Sequence, residues 1–527
     1  MTTMSKPHAT HTPGASAPKT PSENPAAAIH LAAAPEAQTR SERPVIPTIF
    51  EKTSPGARAA TFPKLDVDQT PVPQPLAGNA PAWPELGMPQ VIRHYTHLGQ
   101  RQFSIDAQFY PLGSCTMKHN PRINEQAAAH PGFTGLHPLQ DDAHLQGALR
   151  LLYETRRFLE EIAGLHEASL QPAAGAHGEY TALKVFRAYF NARGETRRTK
   201  VLAPSNAHGT NPASCAMCGA SVISVDAPEG YTDLDDLRCK IDAEGPDTIM
   251  GFMITNPNTA GLFDAKIDEV ANVVHDAGGL LYLDGANMNA ILGKTRPGDF
   301  GADAMHYNTH KTFSTPHGCG GPGAGPIVVR DFLAPYLPTP QVQRDDNGAY
   351  FLDYDRPDSI GKVRSFVGQF GVLVRCWTYI RACGPDGLRN VAELAVLSAN
   401  YLAARLEDVY EMPFFSTERR KFAAHEFVTV PRRLLDRGVT LNDIVKRLID
   451  YDVHPPTMHW PVRDCLMVEP TETESLATLD RFVTAMKRIA EEIERDPASL
   501  AAAPRDATVR RLDIVAADRK PVTVFQG

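Results

Sequence analysis

Tyr307-Asn308-Thr309-His310-Lys311-Thr312-Phe313 leads into His317-Gly318-Cys319-Gly320-Gly321-Pro322-Gly323-Ala324-Gly325-Pro326, and the reading of this stretch decides the fold. A short apolar strand is expected to end beside a lysine set between a histidine and a threonine. The glycines that follow let backbone N–H groups approach an anion closely. The pattern suits a lysine that forms a Schiff base. A lysine beside a glycine-rich turn is more often a solvated charge, so the surrounding chain has to decide between the two.

Upstream, short apolar runs at 200–203, 221–225, 248–254, 280–283, 304–307 and 326–329 alternate with helical patterns at 233–241 and 268–277. Continuous Val/Ile/Leu runs between helices predict a mostly parallel sheet covered on both faces. Such sheets bind ligands at the carboxyl ends of their strands, and the polar clusters fall at those places. Leu281-Tyr282-Leu283-Asp284 ends a buried strand with a carboxylate, which needs a cationic or hydrogen-bonding partner. A protonated pyridine nitrogen is one such partner; a plain turn cap is the other reading. Gln171 to Tyr180 opens a helix with small residues around Gly175 and Ala176, where free N–H groups make a phosphate seat. Ser205 to Pro212 places His208 after a strand, where a ring could stack on it, and Thr255-Asn256-Pro257-Asn258-Thr259 ends the next strand similarly. Together these features describe pyridoxal-phosphate chemistry: a lysine, an acid for the ring nitrogen, a stacking group and phosphate donors.

The chain has 527 residues, 42% of them apolar, enough for two or more domains. Its formal charge of −8 gives no overall positive field for nucleic acid or anionic lipid. No apolar run approaches the about 18 residues of a membrane helix, and no signal core is evident at the N-terminus, so a cytoplasmic protein is expected. Eight cysteines over this length do not make a disulfide framework. Cys215 and Cys218 have CxxC spacing without a second ligand pair, so no metal is expected there.

Residues 1–45, rich in Ala, Pro, Thr and Ser, are expected to be a disordered tail. Residues 46–140 form a proline-spaced arm and a site-proximal segment, of a kind that often crosses to a second subunit. In it, Phe109 to Lys118 packs small, hydroxylated and basic groups into a turn that could hold an anion or could be an ordinary capped turn. A large cofactor-binding domain is expected over 141–383, opening on an amphipathic helix at 144–165. A smaller α+β domain is expected over 384–497, with helices at 393–406 and 479–493, and an extension over 498–527.

The stretches FYPLGSCTMKHNP (109–121), QPAAGAHGEYTALKVFRAYF (171–190), AHGTNPAS (207–214), TNPNTAGLFD (255–264), LDGANMNA (283–290), NTHKTFSTPHGCGGPGAGP (308–326), HPPTMHWP (454–461) and VEPTETES (468–475) closely resemble the glycine cleavage system P-protein family, glycine dehydrogenase (decarboxylating). The similarity runs from about residue 48 to 495. Its start and length resemble the second, lysine-bearing subunit of the split bacterial form. The resemblance implies a fold type I pyridoxal-phosphate enzyme of the aspartate aminotransferase kind, with pyridoxal 5'-phosphate as cofactor. It implies Lys311 as the Schiff-base lysine, Asp284 as partner of the pyridinium and His208 as the stacking group. His310 becomes a candidate for proton handling, and Gly175, Ala176 and Thr309 weaker candidates for phosphate contacts. Asn206, where the family more usually has serine, and His459-Trp460, in place of Tyr-Phe, depart from the pattern without touching the three main roles.

The implied activity is decarboxylation of glycine with transfer of the aminomethyl group to the lipoyl arm of the H-protein. The implied partners are a lysine-lacking subunit 1, in an α2β2 heterotetramer, and functionally the T-protein and L-protein of the same system. Two other readings remain: an amino-acid decarboxylase that protonates its carbanion, and a non-catalytic half that only shapes a partner's site.

Overall fold

The protein is described here from a computed structural model that covers residues 46–78, 83–317, 323–507 and 509–523. The tail expected over 1–45 and the glycines of the run at 318–321 lie outside the described residues.

A seven-stranded sheet carries the large part of the chain. Its strands are β1 (Glu167–Ser169), β2 (Lys200–Pro204), β3 (Ser221–Val225), β4 (Ile249–Thr255), β5 (Leu280–Asp284), β6 (Ala304–His306) and β7 (Ile327–Val329), in spatial order β1-β7-β6-β5-β4-β2-β3. The five strands from β6 to β3 are parallel, while β7 runs antiparallel to both β6 and β1. All of β5 is buried, and its alternation sorts side chains between two cores. Leu281 and Leu283 join one, and Leu280 and Tyr282 join the other beneath the helix Gly175–Ala192. Asp284 continues the Leu280–Tyr282 face. A separate hairpin pairs β8 (Gln341–Arg344) with β9 (Tyr350–Asp353).

The helices around the sheet end where local chemistry predicts. Gly164, at φ +65°, closes the helix Gln146–Ala163 in the left-handed region. Asp233 caps the helix Leu234–Glu244 by accepting from the N–H groups of Asp235 and Asp236. Gly175–Ala192 differs, because Ala174 at its N-cap offers no side-chain acceptor and its first N–H groups stay open.

The C-terminal part has its own core. Strands β10 (Phe427–Thr429), β11 (Thr457–Met458) and β12 (Leu466–Val468) form an antiparallel sheet ordered β10-β12-β11, and the helices Leu441–Asp450 and Leu476–Arg495 pack on it. The helix expected from residue 393 in fact begins at Phe370 and runs to Leu406. Gly384, at φ +62°, and Pro385 break its regularity, which is why they read as a boundary. The apolar stripe continues past them, so Leu388 and Val391 serve the first core and Ala399 and Leu402 the second.

The arm before the first helix contributes little to either core. Phe62 is 86% exposed and Leu76 75%, so these apolar groups lack cover within the single chain. Farther on, Phe109 enters the C-terminal core and Leu112 bridges to Val468, which brings Ser114 beside the carboxyl ends of the sheet strands.

Candidate active site

A cavity of about 240 Å3 opens at the carboxyl ends of β4 and β5, where Thr255 lies opposite Asp284 in register. Its walls include Lys311, Asp284, His208, His310, Gly175 and Ala176, so six of the seven residues singled out in the sequence meet there. Thr309 is the seventh, buried, with its hydroxyl 3.3 Å from the Ala324 carbonyl and the Thr315 hydroxyl 3.3 Å from its own.

Lys311 stands on a single helical turn, Thr309–Thr312, rather than on the strand itself, which ends at His306. That turn is fixed from outside. The Met288 N–H donates to the Thr312 hydroxyl at 2.9 Å, and the buried Lys118 ammonium donates to the Thr312 carbonyl at 2.9 Å and to Glu472 at 2.7 Å. Lys118 is therefore spent on structure and is not an open anion contact of the 109–118 turn.

Asp284 is 4% exposed and well provided with partners. Asn211 donates to Oδ2 at 3.1 Å, the Ala286 N–H donates to Oδ1 at 3.0 Å, and His306 Nε2 lies 3.6 Å from Oδ1. Burial by itself would raise the carboxyl. His306, Asn211, Lys311 and the Ala286 N–H outweigh it and hold the group below the ordinary aspartate value. His306 is oriented in turn by the Tyr282 hydroxyl, 2.6 Å from Nδ1. Its position one residue past Met305 on β6 was not read as functional; only pairing of the strands shows that it faces Asp284.

The helix start at Gly175 is shaped for a close approach. A Cβ on Gly175 would collide with Asn308 Oδ1, and one on Gly178 would meet the Gly325 carbonyl and His306 at 2.8 Å. Glu179, one turn into the helix, accepts from the hydroxyls of Thr210 at 2.7 Å and Ser214 at 2.9 Å. Thr210 is also 2.9 Å from His208 Nδ1, so the imidazole, itself exposed, is held at the cavity by a chain of two contacts. His310 packs edge-on to His317 at 4.8 Å, and burial, with the charges of His317, Lys311 and His306 adding, pushes it down to about 3. It is therefore a neutral imidazole with an unpartnered Nδ1.

The opposite wall comes from the C-terminal part. His425 and Glu426, immediately before β10, line the cavity beside Ser114. Glu426 accepts from the Ser114 N–H at 2.7 Å. Glu469, just past β12, accepts from the Thr116 N–H at 3.0 Å, the Thr116 hydroxyl at 2.6 Å and Asn287 at 2.8 Å. Burial, followed by Glu469, pushes the Glu426 carboxyl well above its ordinary value. Sequence reading missed this wall; a pair of titratable residues placed directly before a fully buried strand was the available signal. In the CxxC pair, burial drives the thiols of Cys215 and Cys218 up to about 12 and about 11, away from the thiolate form.

The sequence model of the family described as glycine dehydrogenase, C-terminal domain, matches residues 391–508. A probable glycine dehydrogenase (decarboxylating) subunit 2 from Halalkalibacterium halodurans is 50% identical over 486 residues, covering 91% of this chain and 98% of the relative. A protein of the same description from Bacillus licheniformis is 49% identical with the same coverage. Among solved structures, a glycine decarboxylase (P-protein) of the glycine cleavage system in inhibitor-bound form is similar at 21% identity and TM-score 0.64, over 79% of this chain and 93% of that one. A cysteine desulfurase from Thermococcus onnurineus is similar at 16% identity and TM-score 0.55, over 73% of this chain and 95% of that one. The architecture is that of the fold type I pyridoxal-phosphate enzymes. With half of its residues identical to those relatives over nearly their whole length, the chain belongs to the glycine dehydrogenase (decarboxylating) subunit 2 family.

Proposed function

We propose that this chain is the lysine-bearing subunit of a glycine decarboxylase that uses pyridoxal 5'-phosphate and passes the aminomethyl group to the lipoyl arm of the H-protein. The observation that carries the reading is the meeting of Lys311 and Asp284 in one cavity with the uncapped helix start at Gly175.

The residues present fit the cofactor. The N–H groups of Gly175 and Ala176 have no side-chain cap, and the absent Cβ of Gly175 keeps the approach to Asn308 clear. Asn308 Oδ1, Thr255 Oγ1 and His310 Nδ1 are buried polar atoms without hydrogen-bond partners in the chain. In this reading the Lys311 amine holds the cofactor, Asp284 faces the ring nitrogen, His208 lies against the ring, and Gly175 and Ala176 receive the phosphate. Thr309 acts through the turn that carries Lys311. Bound there, the cofactor would draw electrons from the substrate carbon.

The chain's own contribution is electrostatic and positional. Asp284 kept ionised by His306, Asn211, Lys311 and the Ala286 N–H sustains a positive charge on its partner. His310, next to Lys311, is neutral with an unpartnered Nδ1, so it can hydrogen-bond a reacting group there, while its value of about 3 makes it a weak proton acceptor.

The designation of the relatives as subunit 2 supports a subunit 1 partner, in an α2β2 assembly whose contacts cover the exposed arm from residue 55 to 78. The same reading makes the H-protein a co-substrate, places the T-protein and L-protein downstream, and puts the protein in the cytoplasm. Glycine-dependent exchange of labelled CO2 tests it, measured with this chain alone, with subunit 1, and with lipoylated H-protein added. Exchange should require the partner subunit and rise with H-protein. Methylamine release from glycine without H-protein would favour a simple decarboxylase, and no glycine-dependent exchange in the full mixture would sink the proposal.

A further inference from the structure

The wall facing Lys311 contains two carboxyl groups in a place that holds only one negative charge comfortably. Glu426 is 2% exposed and Glu469 is fully buried. One oxygen of each, with one ring nitrogen of His425, lies within a span of 4.8 Å. No arginine or lysine forms an ion pair with either among the described residues; the positive charge that acts on Glu426 is that of Lys311, and it counts for less than burial and Glu469. Two like charges so placed in a dry site cannot both ionise cheaply, and one proton is shared.

Geometry says which carboxyl keeps it. Glu469 accepts three hydrogen bonds, from the Thr116 N–H, the Thr116 hydroxyl and Asn287, the company of an ionised group. Glu426 has one such donor, the Ser114 N–H. Ser114 and Thr116 both adopt left-handed backbone, at φ +60° and +51°, a cost of about 1 kcal/mol or more each. That strained turn aims one N–H at each carboxyl. The other titratable groups facing Glu426 are His425, with Nε2 3.8 Å from Oε1, and Cys115, beside Ser114. His425 is held neutral, chiefly by burial, and its Nδ1 has no partner, while burial raises the Cys115 thiol. Neither can neutralise a second anion.

We propose that Glu426 carries the proton of this carboxyl pair into the cavity and delivers it to the sulfur displaced from a disulfide acceptor. The proposal rests on the glycine decarboxylase reading. When CO2 leaves the substrate carbon, the electron pair of the broken C–C bond forms a new C–S bond with one sulfur of the acceptor. The S–S bond breaks with its pair on the second sulfur, and that sulfur takes the Glu426 proton to become a thiol. The disulfide is the oxidant, and one proton taken up from bulk solvent restores Glu426, so the step consumes one proton overall. A divalent cation is the competing occupant of the same three side chains. It is disfavoured because both Glu469 oxygens are already engaged and the Lys311 charge lies close by.

The test uses the full chain with pyridoxal phosphate and subunit 1. Infrared difference spectra of wild type near neutral pH should contain a protonated-carboxyl C=O band that is absent in E426Q. With glycine and oxidised lipoamide as acceptor, E426Q should keep the glycine-induced change in cofactor absorbance, which reports an intact site. It should form thiol about 100-fold or more slowly, the loss of a general acid. E426D should recover part of that rate, and E469Q should move the band's loss to a lower pH. The inference is overturned if the band is missing from wild type or survives in E426Q. It is equally overturned if E426Q forms thiol at the wild-type rate, or if zinc or manganese alone binds stoichiometrically to wild type and not to E426Q. Wild type that never releases CO2 from glycine would instead defeat the functional reading, leaving the infrared band to judge the shared proton.

Discussion

Asp284 and Glu426 stand on opposite walls of one cavity, one at the end of the large sheet and the other at the start of the small one, and both are buried. Their charge states are pushed in opposite directions. Asp284 has His306, Asn211, Lys311 and a backbone N–H around it and falls below the ordinary value, whereas Glu426 has another carboxyl for a neighbour and rises far above it. Burial is common to both, so it does not decide the outcome. What the neighbours donate does.

Replacing Lys311 tests the cavity common to both walls and should have the largest effect. K311A should lose the borohydride-reducible link and reduce decarboxylation to background, measured by peptide mapping and labelled CO2 release. A label on Lys294 or Lys266 in the wild type would move the site elsewhere.

D284N tests the sheet wall alone. It keeps the shape and removes the charge that sustains a protonated ring nitrogen, so turnover should fall by about 100-fold or more with the cofactor still bound. Near-normal turnover would show that another group performs this task.

The two walls also make opposite predictions for stability against pH. A carboxyl lowered on folding contributes stability that is present above its unfolded value and lost as pH falls through the folded one. For Asp284 that loss begins below about pH 4 and should disappear in D284N. A carboxyl raised on folding does the reverse: its contribution is present below the unfolded value, about pH 4.3, and declines as pH rises toward the folded one. E426Q, which cannot ionise, should therefore gain on wild type as pH is raised, in urea midpoints taken at several pH values. Parallel curves for wild type and E426Q would remove the contrast between the walls.

The remaining test concerns His310, on the acid side of the stability curve. Its folded value of about 3 lies below the unfolded one of about 6.5, so its neutral form favours the fold. That contribution is complete above the unfolded value and declines as pH falls toward 3. H310N should flatten this part of the acid-side slope and leave the alkaline side alone. An unchanged slope between pH 6.5 and 4 would mean that His310 charges freely in the folded protein.

The site was legible where one short stretch carried both the residue and its reason. Lys311 was visible through the glycines after it, Asp284 through the apolar run before it, and Gly175 through the small residues that open its helix. His306 and Asn211 were present in or beside quoted motifs but received no role, because a hydrogen bond between β5 and the residues after β2 depends on sheet order, which no local pattern fixes. Glu426 and Glu469 were harder still. Their bonds to the 114–116 turn join segments more than 300 residues apart. The long helix from Phe370 was shortened in the sequence reading for a related reason: Gly384 and Pro385 signal a local break truthfully, and only the packing on either side shows that the helix resumes.

The sequence by itself determined the parallel character of the sheet, the strand-end positions of Asp284 and His208 and the lysine's place after a strand, since these follow from hydrophobic period and from residues adjacent in the chain. The tertiary structure alone decided which side chains surround each buried carboxyl. Coulomb and desolvation energies depend on distance in space, so two acids that look alike in sequence become a carboxyl held low on one wall and a carboxyl pushed high on the other.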